Sequence, residues 1–149
     1  MTTISLIVIA ITTGLLAGAI VFQSAIVAPA VFKTLGAEGA RDFLRALFPR
    51  LFRFGIASGL TISVFAILLM VLDGAGRSTV LLIVAGVGIA IAQSVALKLV
   101  PAINAARDLG SDGAARFHRL HTYSVALTLI ALLIALIALG AFGATTTLP

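Results

Sequence analysis

The chain holds two histidines, His118 and His121, three residues apart. On a helix that spacing makes them neighbours. Imidazole can bind a metal, ligate haem iron or move a proton near neutral pH. A pair alone is not a metal centre, because a structural zinc wants about four ligands. No cysteine is present and no acidic cluster lies nearby to supply the rest. Nor can two histidines on one helix face reach both sides of a haem. A single axial ligand, His121, is the most that haem chemistry could use. Ser124 and Thr128 continue from His121 as a polar stripe.

Gln23 and Gln93 are the other informative polar side chains, each inside a long apolar run. Polar groups in hydrocarbon are costly and face protein or water. Each Gln is then either interhelical glue, worth about 1 kcal/mol or less, or a ligand contact. Arg50 stands where the second apolar run begins and could join such a site, whereas Lys98 can snorkel to the headgroups. No apolar run contains a carboxylate, which argues against a proton-relay pump. A phosphate-binding Gly loop, a dinucleotide fingerprint, an H-E-x-x-H motif and a nucleophile elbow are all missing. The chain reads as a non-enzyme rather than an enzyme. No motif requires a cofactor, and haem is the one that His121 could serve.

The elements that must hold these residues are membrane helices. Of 149 residues 61% are hydrophobic and 10% charged, with a mean hydropathy of +1.24. A water-soluble domain is nearer half apolar and a quarter charged, so lipid is the expected solvent. Apolar runs cover residues 4–32, 54–72, 78–97 and 122–142, and the first carries no charge over 29 residues. About 20 apolar residues cross the hydrocarbon core, and continuous runs do not alternate as barrel strands do. The first run lacks a basic leader and is too long for a signal peptide. The expected fold is all-α, an integral membrane four-helix antiparallel bundle in one domain. Its helices should cover about 4–32, 49–72, 78–100 and 118–142.

Between the first two runs, Phe43, Leu47 and Leu51 repeat at helical spacing among Arg41, Arg45 and Arg53. That pattern predicts a short interfacial amphipathic helix. Pro49 suits a first turn rather than a helix interior, so a break is expected at Phe48-Pro49. Asp73-Gly74-Ala75-Gly76 reads as a tight reversal.

Loop charge sets the expected topology. Lys33, Arg41, Arg45, Arg50 and Arg53 share one side with Lys98, Arg107, Arg116 and Arg119, and Arg77 alone stands on the other. The positive-inside rule puts the nine in the cytoplasm and both termini outside, in a bacterial inner membrane. The net charge of +5 then serves orientation and contact with anionic headgroups. It has no nucleic-acid motif beside it.

The halves resemble each other. Gln23-Ser24 precedes Pro29-Ala30-Val31, and Gln93-Ser94 precedes Pro101-Ala102-Ile103. Phe48-Pro49-Arg50-Leu51-Phe52 matches Phe117-His118-Arg119-Leu120-His121 as Phe-x-Arg-Leu-x. Two like-oriented hairpins would make a parallel repeat. Small residues four apart, at Gly14 and Gly18, Gly55 and Gly59, Gly86 and Ala90, and Ala131 and Ala135, let helices approach closely. They serve packing within the chain or a homo-oligomer.

Pro29-Ala30-Val31-Phe32 with Leu47-Phe48-Pro49-Arg50 resembles the first hairpin of transmembrane-protein-205-like proteins. Pro101-x-Ile103-Asn104-x-x-Arg107 and Phe117-x-Arg119-Leu120-His121-x-x-Ser124 resemble the second. Such proteins often carry Gly after that His and Asn four residues past the Ser, where this chain has Thr122 and Thr128. The resemblance implies a four-helix membrane protein of unsettled activity. The architecture is more distantly similar to copper-resistance-D-like proteins and to membrane-bound, haem-associated protoporphyrinogen oxidases. Three functions follow as expectations. The first is binding or transport of a small amphipathic or metal-containing ligand near the cytoplasmic leaflet, by Gln23, Gln93, His118, His121, Ser124 and Arg50. The second is a haem-associated porphyrin oxidoreductase. The third is a non-catalytic scaffold.

Overall fold

The computed structural model describes residues 1–145, with side chains through residue 140. It is all-helical, and no strand occurs among the described residues. Helix α1 spans Thr2–Phe22, a π-helical segment Gln23–Val27, and α2 Ala28–Asp73. Helix α3 spans Arg77–Asp108, a 3-10 turn Gly110–Gly113, and α4 Ala114–Thr145. Three stretches, Thr2–Asp73, Arg77–Asp108 and Gly110–Gly140, are long and apolar enough to cross a membrane.

The first stretch is not one rod. Gly36 has φ 67° and ψ −175°, a region essentially restricted to glycine, and the chain reverses there. The reversal brings the stretch's two ends together, where Thr2 Oγ1 donates to Asp73 Oδ1 at 3.1 Å. Gly74, at φ 90° and ψ 167°, makes the next reversal in the same backbone region. Helix α1 packs against α2, α2 against α3, α3 against α4, and α4 back against α1.

The break at Gly36 is a correction. It was expected at Phe48-Pro49, but the helix runs through Pro49. Proline removes one helical hydrogen bond, here the one to the Arg45 carbonyl, and is tolerated in membrane helices. The neighbouring Ala46 carbonyl accepts from Arg50 Nη1 at 2.6 Å. No separate interfacial helix is set off at Phe48. Ala40, Leu44, Phe52, Gly55 and Gly59 form one buried stripe, and Phe43 is 41% exposed. The buried face is thus continuous with that of the apolar part of α2. Residues 37–73 are about 55 Å long at 1.5 Å per residue, well beyond a core of about 30 Å.

Proline has a different effect in the first hairpin. Its ring clashes with the carbonyl four residues earlier, and Pro29 stands just beyond the π-helical Gln23–Val27. A wider turn at that place relieves the clash with the Ala25 carbonyl.

The interior mixes an apolar core, including Ile9, Leu16, Ile20, Ile62 and Ile89, with the small polar side chains of Ser5, Thr13, Ser58, Ser63 and Ser124, while Ile11, Leu15, Val64, Val84 and Leu133 face outward. Lipid gives apolar side chains no reason to hide, so small residues that permit close backbone contact drive association. The α2–α3 crossing shows how close that contact becomes. A Cβ on Gly59 would lie 2.6 Å from the Gly86 carbonyl oxygen and 2.7 Å from the Ala90 nitrogen. Ser63 Oγ donates to Gly59 O at 3.0 Å within its own helix and reaches Ile83 O on α3 at 3.4 Å. Gly14 and Gly18 behave differently, since a Cβ on either would meet nothing within 4 Å.

Candidate functional site

The Arg45–Asp108 ion pair joins the first half of α2 to the end of α3. It gathers the two basic segments at one end of the molecule, opposite the Thr2–Asp73 contact. Beneath it lies a cavity of about 440 Å³, within the range of small-molecule sites. The π-helical turn, α2, α3 and α4 all contribute to it. Gln23 and Ser24 come from the π-helical turn, and Leu44, Arg45 and Phe52 from α2. Ile103, Asn104 and Arg107 come from α3, and Phe117, His121, Ser124 and Thr128 from α4.

Three of the six residues expected from sequence meet there: Gln23, His121 and Ser124. The other three do not line it. Gln93 is 1% exposed and lies against Gly55, where a Cβ would come within 2.6 Å of Gln93 Cγ. Its Nε2 has no hydrogen-bond partner. Arg50 is exposed and engaged with Ala46 O. His118 is exposed, with its carbonyl accepting from Thr122 Oγ1 at 2.8 Å.

The polar lining is locally tied. Ser24 Oγ donates to Gln23 Oε1 at 3.1 Å, and Thr128 Oγ1 donates to Ser124 O at 2.9 Å. Phe117 packs against two cavity groups at once. Its ring stacks on His121, with centroids 5.4 Å apart and planes 8° from parallel. The Arg107 guanidinium carbon stands 4.5 Å from the Phe117 centroid, a cation–π distance. Among the described residues Arg107 makes no ion pair. Asp108, the carboxylate beside it, is already held by Arg45.

Arg45, Asn104, Arg107 and Phe117 were not singled out as site residues by sequence. The signal was there, since Val100, Ile103, Asn104 and Arg107 share a helix face by spacing. Among the described residues no three His, Cys, Asp or Glu side chains cluster as metal ligands would. The lining supplies apolar contact, hydrogen-bonding groups, the His121 imidazole and two guanidinium charges. No curated protein and no solved structure matches the chain. The family model of a domain of unknown function, DUF4149, matches residues 11–112.

Proposed function

The chain belongs to the DUF4149 family, and from that premise we propose that it binds a small amphipathic ligand in the membrane, near the cytoplasmic leaflet. The observation that carries this reading is the cavity where Gln23, His121 and Ser124 converge from helices far apart in sequence. Its lining exposes mostly apolar surface among convergent polar groups, the usual composition of a ligand site. The metal-containing alternative has less support, because the ligands it needs do not gather.

The reading includes four crossings as two like-oriented hairpins in a bacterial inner membrane. The fold-back at Gly36 and the distribution of nine basic residues against Arg77 support it. Both termini would then face outward, and the nine basic residues would meet anionic headgroups. The likeness to transmembrane-protein-205-like proteins is of a piece with this architecture. The outward face of Gly14 and Gly18 would suit a homo-oligomer.

A neutral fluorescent amphiphile, N-phenyl-1-naphthylamine, tests the cavity in nanodiscs. Leu129 is half exposed at the cavity rim, so Leu129→Trp plugs the mouth without adding buried bulk. Saturable uptake by the native protein, weakened by Leu129→Trp and by His121→Ala, is the expected result. Uptake unchanged in both variants, with helicity retained, would leave the polar residues as packing elements of a scaffold.

A further inference from the structure

The cavity lining carries two arginines beside exposed apolar side chains, and that combination selects among amphiphiles. We infer that its ligand is anionic, a carboxylate or phosphate headgroup held by Arg107 with a hydrocarbon chain leaving between Phe32 and Leu129. The inference rests on the binding function proposed above and names the chemical class of the ligand.

Arg107 carries the headgroup argument. Of the two arginines that line the cavity, Arg45 has its counter-ion in Asp108. Arg107 has no carboxylate of its own. It is partly buried, and its contact is with the Phe117 ring face. A guanidinium drawn from water without an anion is costly, and an incoming anion removes that cost. Its planar fork suits the two oxygens of a carboxylate or phosphate. Among the described residues no carboxylate lines the cavity, and Glu38, Asp42 and Asp112 are all exposed. A cationic ligand or a bare metal cation would therefore meet only like charge there. His121 and Asn104 line the same cavity and can donate to a second headgroup oxygen.

The tail argument comes from the exposed apolar part of the lining. Phe52 is buried at the cavity wall, whereas Phe32, Val125 and Leu129 line it and are 55%, 42% and 51% exposed. Those three put the mouth on the molecule's apolar flank. A chain leaving there would stay in lipid.

The test uses the whole protein in phosphatidylcholine nanodiscs, with binding followed by native mass spectrometry. The probes are oleate, oleyl alcohol and oleylamine, which share one tail and differ in charge. Oleate should bind most tightly, and Arg107→Gln should weaken it about tenfold or more, as loss of a charge-assisted hydrogen bond does. Arg107→Lys, which keeps the charge, should retain part of the affinity. Adding phosphatidylglycerol separates two sources of the same chemistry. Displacement of oleate assigns the site to a diacyl phospholipid, and no displacement assigns it to a single-chain anion. Oleyl alcohol binding as tightly as oleate to the native protein would overturn the anionic assignment while leaving an amphiphile site in place. So would oleate binding undiminished in Arg107→Gln. Binding of none of the three probes would overturn the amphiphile site itself, and the inference with it.

Discussion

Replacing Gln93 by Met should make this protein more stable. Gln93 is 1% exposed and its Nε2 has no acceptor. A buried donor left unpaired costs about 1–3 kcal/mol in a soluble protein. In a bilayer the separated helices also satisfy polar groups, and measured interhelical contributions average about 0.6 kcal/mol. Together these put the expected gain at about 1 kcal/mol. Met keeps the unbranched length that fits opposite Gly55 and carries no donor. The geometry also predicts how a companion change behaves. A Cβ on Gly55 would lie 2.6 Å from Gln93 Cγ and 3.0 Å from Cδ, so Gly55→Ala overpacks the crossing and should cost about 1–3 kcal/mol. Because Gly55 and residue 93 touch, the two effects should be non-additive, which a double-mutant cycle reads directly. The assay is unfolding of the purified protein by increasing sodium dodecyl sulfate in mixed micelles, followed by helical circular dichroism. A loss of more than about 1 kcal/mol in Gln93→Met would refute the reasoning, since it would mean that the amide is satisfied.

Other perturbations separate the remaining contacts. Gly59→Val should disrupt the α2–α3 crossing and cost about 3 kcal/mol or more, because the atoms it meets are backbone. Gly18→Ala should be neutral or slightly stabilising, by up to about 1 kcal/mol of helix propensity, and the same detergent titration compares them. Gly36→Ala should cost about 1–3 kcal/mol through its backbone conformation alone, read as a lower unfolding midpoint. Asp108→Asn should change stability by less than about 1 kcal/mol, because the Arg45–Asp108 side chains are 36% and 57% exposed.

The helical, membrane-embedded character was legible because lipid imposes a length and an apolarity that no other solvent demands. The place of the first reversal was not. Pro49 is the more conspicuous helix breaker, yet the helix runs through it, while Gly36 supplies the backbone conformation that turns the chain. The rule that puts glycine just past a helix end pointed to Gly36 and competed with a stronger-seeming proline. At the site, His121, Ser124 and Gln23 stood out as polar residues in or beside apolar runs. Arg107 looked like one loop cation among nine. Its difference is tertiary: Arg45 takes the available carboxylate, and Phe117 covers the guanidinium. Neither relation is local in sequence.

The π-helical turn at Gln23–Val27 has a consequence for how the cavity could be lost. A π turn holds one residue more than the α turn it replaces, and each residue advances an α-helix by about 100°. Deleting one residue from this turn would restore regular winding and leave the chain on either side nearly in phase, so Ala28 and Phe32 could keep their places on the cavity wall. What would be lost is the wide turn itself, which accommodates Pro29 and carries Gln23 and Ser24 into the cavity. The site thus depends on a count of residues as well as on their identities. A substitution scan of these five positions would change side chains and leave that count intact. A single-residue deletion would close the wide turn and set Pro29 against a regular helix.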